Sequence, residues 1–103
     1  MNSRDDLLES IAILKFALKR AGVPARDYLI ALMDMPFDGN DQLCLVELAD
    51  GSWISFYAER GARKRLSTFQ RAADALDFFY WRLTRATKFS AFRTEWENAV
   101  GGR

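Results

Sequence analysis

Apolar residues recur at helical spacing over the first twenty positions, and from about residue 28 they give way to the alternation and short apolar runs of strands. Leu7, Ile11, Leu14 and Leu18 are separated by four, three and four residues, with Leu8 and Ala21 beside them. That stripe predicts an amphipathic helix over Asp5–Arg20. Asp5 and Asp6 lie in its first turn, and Lys15, Lys19 and Arg20 lie toward its other end. Both signs complement the helix dipole. Gly22 is the expected stop, with Pro24 just beyond. Ile13 and Phe16 fall off the main stripe and are expected to widen the buried face.

Tyr28–Met35 reads as a buried strand or a short helix. Pro24 and Pro36 limit its length and favour the strand. Phe37-Asp38-Gly39-Asn40-Asp41 has the composition of a loop. Two strand runs follow, Leu43–Leu48 and Trp53–Arg60, around an Asp50-Gly51 turn, which predicts a β-hairpin. Gly61-Ala62-Arg63 turns the chain again, and Lys64–Phe69 is a fourth strand candidate. Short connections of this kind predict a continuous antiparallel meander.

Helical spacing returns at Arg71–Thr87, where Ala72, Ala75, Phe79 and Leu83 line one stripe. A last helix is expected at about Ser90–Val100, with Phe92, Trp96 and Val100 four apart, before a fraying Gly101-Gly102-Arg103. The expected fold is α+β: a four-stranded antiparallel sheet in the order α-β-β-β-β-α-α. Helices would cover one face of it, in a single domain over residues 1–103. On the second hairpin arm, Ile54, Phe56 and Ala58 share the face expected to pack on helices. Trp53, Ser55, Tyr57 and Glu59 share the other. That mixed face is either covered by the last helix or open to a protein partner, for which aromatics and charges are suited.

Composition narrows the function classes. Half of the 103 residues are hydrophobic and 14% are aromatic, which excludes intrinsic disorder. The one cysteine, Cys44, sits in an apolar run and is expected to be a buried free thiol, consistent with a reducing compartment. No apolar stretch is long enough to span a membrane, and the opening Met-Asn-Ser-Arg-Asp-Asp is unlike a signal peptide, so a cytoplasmic location is expected. The chain has no histidine, which removes the commonest general base and metal ligand. One cysteine cannot build a structural zinc site. No enzyme activity, metal or cofactor is expected.

The net charge of +1 conceals an asymmetry. Residues 1–59 hold five Lys/Arg against ten Asp/Glu, and residues 60–103 hold ten against four. Arg60, Arg63, Lys64, Arg65 and Arg71 form a local basic cluster, followed by Arg82, Arg85 and Lys88. With Tyr57, Tyr80 and Trp81 nearby, the cluster is a candidate nucleic-acid surface, through phosphate pairing and base stacking. The competing reading is a solvated turn and the outer face of a helix.

Asp50-Gly51-Ser52-Trp53, Glu59-Arg60-Gly61, Phe69, Ala75 and Phe78-Phe79 together resemble a pattern in small immunity proteins of bacterial polymorphic toxin systems, including contact-dependent growth inhibition. The resemblance spans roughly Asp50 to Tyr80. It departs from the pattern at Phe69-Gln70-Arg71-Ala72-Ala73-Asp74, which lacks the usual helix cap and acidic first turn. It implies a non-catalytic protein that binds and blocks one cognate toxin domain. If that domain is a nuclease, an acidic patch would suit its basic cleft. The candidates are Asp34, Asp38, Asp41 and Glu47, with Trp53 and Tyr57 as aromatic anchors and Glu59 at the end of the strand. The alternative is a nucleic-acid-binding or regulatory module using Arg60–Arg71.

Overall fold

A computed structural model describes residues 3–33 and 39–85. Helix α1 spans Ser3–Arg20, close to the stripe that predicts it. Its end is set by two crossed hydrogen bonds: Val23 N–H donates to Leu18 O and Gly22 N–H to Lys19 O, each at 3.0 Å. This is the Schellman arrangement, and it needs a left-handed residue at Gly22, whose φ is 85°. A Cβ there would meet no atom within 4 Å, so the cost of a side chain is conformational rather than steric. Gly22→Ala should therefore lower stability by about 1 kcal/mol, read as a shifted midpoint in urea. An unchanged midpoint would remove this account of the helix end. Ile11, Ile13, Leu14, Ala17 and Leu18 are buried. Phe16, expected to join them, is instead 41% exposed.

A single 3₁₀ turn at Ala25–Asp27 leads into β1, Tyr28–Ala31. The ambiguous segment is thus a strand over Tyr28–Ala31 and has left the strand by Leu32 and Met33; its last two residues, Asp34 and Met35, lie outside the described residues. Strands β2 (Gln42–Glu47), β3 (Trp53–Glu59) and β4 (Ala62–Phe69) complete a sheet ordered β1-β2-β3-β4. β2–β3 and β3–β4 are antiparallel hairpins, as expected. β1, however, is parallel to β2, with Tyr28 opposite Leu43 and Ala31 opposite Val46. The sheet is therefore mixed, and the fully antiparallel meander is corrected. Alternation identifies a strand but carries no direction. A four-residue strand is only about 13 Å long, and residues 32–41 provide more than enough chain to run back along it.

The turns explain why the hairpins close where they do. Between β2 and β3, Leu48 N–H donates to Ser52 O at 2.8 Å and Gly51 N–H to Leu48 O at 3.0 Å. Gly51 takes φ 88°, the left-handed residue that a three-residue hairpin loop requires. Asp50 Oδ1 accepts bonds from Ser52 Oγ (2.6 Å) and Ser52 N–H (2.9 Å). Those bonds hold the Asp50 carboxyl below its usual range. Between β3 and β4 the loop is two residues, Arg60 and Gly61, both left-handed with φ of 51° and 81°. That is the primed turn whose twist matches antiparallel strands. β4 carries a bulge: Ser55 pairs with Ser67 and Tyr57 with Lys64, so Phe56 faces two residues, Arg65 and Leu66.

Both faces of the central strands are buried at the Trp53 end. Cys44, Ile54, Phe56 and Ala58 form one cluster, with Leu29, Val46 and Leu48 packed against it. On the opposite face Leu43, Leu45, Trp53 and Ser55 are buried. Cys44 is a buried free thiol as expected, and burial pushes its pKa up. Ser55 Oγ is buried with no hydrogen-bond partner among the described residues. Removing an unpaired buried hydroxyl recovers desolvation energy. Ser55→Ala should leave stability unchanged or raise it by up to about 1 kcal/mol, and a clear loss in thermal unfolding would show that the hydroxyl is bonded after all.

Helix α2 spans Ala72–Thr84 and buries Ala75, Leu76, Phe79 and Tyr80. The expected last helix at Ser90–Val100 and the Gly101–Arg103 tail lie outside the described residues, as do Phe37 and Asp38 of the expected loop. The contacts divide the chain into two compact units, one of them Pro24–Ala75 and the other containing α1 and the larger part of α2. Among the described residues no helix is long and apolar enough to cross a membrane.

Candidate interaction surface

The sheet is least covered at the end where β2 begins and β3 meets β4. Register lines up Tyr28, Leu43, Tyr57 and Lys64 as one row across all four strands, on one face. Leu43 is buried at its centre, Tyr28 and Tyr57 are half-buried, and Lys64 is exposed. Burial pushes the Tyr28 phenol pKa up. Strand geometry puts Glu59 on the same face, two residues beyond Tyr57. Lys64 Nζ lies 2.8 Å from Glu59 Oε1. Both side chains are substantially exposed, so this pair contributes at most about 1 kcal/mol.

The backbone at this end is pinned. Asn40 Oδ1 accepts the N–H of Arg60 at 3.1 Å, which ties the segment before β2 to the β3–β4 turn. Gln42 accepts from Asn40 N–H at 3.2 Å and donates through Nε2 to Arg26 O at 3.1 Å and Tyr28 O at 3.4 Å. Asp41, Arg60 and Arg65 are three of the four non-glycine residues with positive φ among those described. Each such residue costs roughly 1–2 kcal/mol, and strain of this kind gathers at functional sites. The result is a rigid rim carrying two half-buried tyrosines, mixed charges and polar amides.

The anticipated partner residues fall differently. Asp41, Tyr57 and Glu59 come together at this end. Asp34 and Asp38 lie outside the described residues. Trp53 is 1% exposed and Glu47 6% exposed, so neither is a surface contact in this structure. Glu47 is occupied internally, its Oε1 accepting the N–H of Met33 at 3.1 Å. The division between core and surface on the Trp53–Glu59 face therefore runs along the strand, buried at Trp53 and Ser55 and opening at Tyr57.

The basic cluster is exposed throughout, but it does not make one patch. Arg63 and Lys64 are adjacent on β4 and point to opposite faces. The Arg63 guanidinium sits 4.7 Å from the centroid of Phe56, and Lys64 reaches Glu59. Arg71 pairs with Asp74 at 3.3 Å. Of the aromatics named beside it, Tyr80 is buried, while the ring of Trp81 lies under Arg85 at 4.6 Å. Among the described residues no group of acidic, cysteine or histidine side chains is placed to hold a metal.

Tyr28 and Asn40 are the members of this surface that the sequence pattern does not single out. Tyr28 opens a run that reads as core, and only the register with Leu43 and Tyr57 shows that it lies at the margin. Comparison with protein-family models, with curated proteins and with solved structures finds no match for this chain.

Proposed function

We propose that the protein is a non-catalytic binding module that engages a protein partner through the Tyr28–Tyr57 end of its sheet. The partner class is a cognate bacterial toxin domain, which it neutralises as an immunity protein. The observation that carries the binding reading is the tyrosine row, set in a backbone already pinned by Asn40 and Gln42. Tyrosines supply large contact area at low entropic cost, and a surface fixed beforehand loses little on association. Asp41, Glu59 and Lys64 around it would set register and partner choice more than affinity. The immunity assignment rests on the resemblance through Asp50–Tyr80, whose Glu59-Arg60-Gly61 element forms the turn beside this row.

The test is to read the genes on either side of this one and to co-express the chain with the toxin domain that the proposal expects there. Restored growth and a one-to-one complex support the proposal. If the neighbouring product forms no complex, or binds Tyr28→Ala and Tyr57→Ala variants as tightly as the original, the assignment fails.

The exposed run Arg63-Lys64-Arg65 favours nucleic-acid binding as the second reading. It predicts affinity that falls steeply between about 50 and 200 mM salt. The split of these cations over two faces, and their carboxylate and aromatic partners, weigh against it.

A further inference from the structure

Of the two edges of the sheet, β4 is the longer, eight residues against four for β1. Among the described residues no strand pairs with its outer side. Alternation of the ladder shows which of its backbone groups face that side. Leu48 N–H bonds to Ser52 O at the β2–β3 turn, so Ile54, Phe56 and Ala58 bond toward β2, while Trp53, Ser55, Tyr57 and Glu59 bond toward β4. Their partners on β4, Phe69, Ser67, Lys64 and Ala62, turn their N–H and C=O inward. Thr68 turns its own to the open edge, and the bulged Arg65 and Leu66 stand outside the β3 ladder. Such an edge is a template for another strand. Arg65, Leu66 and Thr68 are exposed, Leu66 by 54%. Residues 60–73 hold five Lys/Arg and no Asp/Glu. Lys64 and Arg63 are already in contact with Glu59 and the Phe56 ring; Arg65 makes no ion pair among the described residues.

We infer that the β4 edge pairs with an extended acidic segment of a partner protein, which adds a strand beside β4. A second copy of β4 fits poorly, because it would bring the same three consecutive cations into a strand about 5 Å away. A nucleic acid fits poorly too, since Arg63 and Lys64 point to opposite faces of the sheet. An added strand meets both faces. Its side chains alternate, so one carboxylate falls beside Lys64 and the next beside Arg63, on the other face. The bulge and the cations turn away neutral and basic strands, and the same charge attracts acidic ones, so the edge selects its occupant by charge.

Two short peptides test this, Thr-Val-Thr-Glu-Glu-Glu-Val-Thr and its counterpart with lysine for glutamate. Each is titrated into the ¹⁵N-labelled chain at about 50 mM salt, where exposed charges are little screened. The glutamate peptide should bind saturably, with a dissociation constant of about 0.1–1 mM. It should shift the amides of Arg65, Leu66 and Thr68 more than that of Ser67, whose N–H faces β3. The lysine peptide should not bind. Arg65→Asn, which suits the left-handed backbone there, should weaken binding about three- to tenfold. Thr68→Pro removes an outward N–H and no bond to β3. It should weaken binding at least as much, whereas Thr68→Ala should bind like the original. Circular dichroism on each variant confirms the fold. Equal binding of the two peptides, no saturable binding, or shifts confined to residues away from β4 overturn the proposal. So does a single-stranded oligonucleotide that shifts the same amides at lower concentration, or a chain that dimerises through them. No toxin domain enters the measurement, so its failure leaves the tyrosine-row reading standing.

Discussion

Trp53→Ala should cost about 3–5 kcal/mol of folding stability, and Phe56→Ala a similar amount. Both side chains are essentially inaccessible, at 1% and 0% exposure. They sit on one strand and on opposite faces, so the two losses strike different packing. Trp53 stands in register between Glu47 on β2 and Phe69 on β4. Phe56 lies opposite Cys44, with Arg63 over its ring. Neither gap has a ready way to collapse, because β3 is flanked by strands on both sides. Small domains hold only about 5–15 kcal/mol in all, so the double variant should be unfolded at room temperature. Denaturant titrations of the single variants check this directly. A loss under about 1 kcal/mol at Trp53 would mean that its burial is not central to the fold, and would return it to the list of surface anchors.

Tyr57→Ala should weaken the partner complex about thirty-fold, close to 2 kcal/mol, while changing stability much less. The ring is half-buried, so truncation loses only part of a core contact, whereas in a complex its remaining face would be desolvated. Tyr28→Ala should act in the same direction, since the two rings flank Leu43 in one row. Thr68→Ala is the control: it is exposed and in register with Ile54, on the opposite face. Calorimetric titration of the three variants separates the outcomes. Equal affinity in all three would place the partner elsewhere on the molecule.

Local patterning made α1, the two hairpins and α2 legible in advance, because each rests on interactions within a few residues: the Leu7–Leu18 stripe, the Gly22 stop, the Asp50-Gly51 turn. The direction of β1 was not legible, since strand pairing depends on the path of residues 32–41 and alternation is blind to it. Phe16 misled because a position off the stripe reads equally as the edge of a core or as a second face, and only exposure separates them. At Trp53 the difficulty was of another kind. Alternation assigns residues to faces, but burial here changes along the strand, from Trp53 and Ser55 to Tyr57 and Glu59. The tyrosine row is a property of register across four strands, so no single segment contains it.

The parallel pairing of β1 also orders the events of folding. β2, β3 and β4 are joined by hairpin loops of two and three residues, so their contacts close quickly at small entropic cost. β1 is separated from β2 by the longer stretch of residues 32–41, and among the described residues β2 is its one strand neighbour. Its loop closure is the dearer one and its reward, four residues of ladder, the smaller. β1 should therefore assemble last and open first, and its amides should exchange with solvent well before those shared by β2 and β3. Gln42, bonded to Arg26 O and Tyr28 O where β1 begins, is then the clamp that keeps Tyr28 in the row, and the strand should open from its Ala31 end.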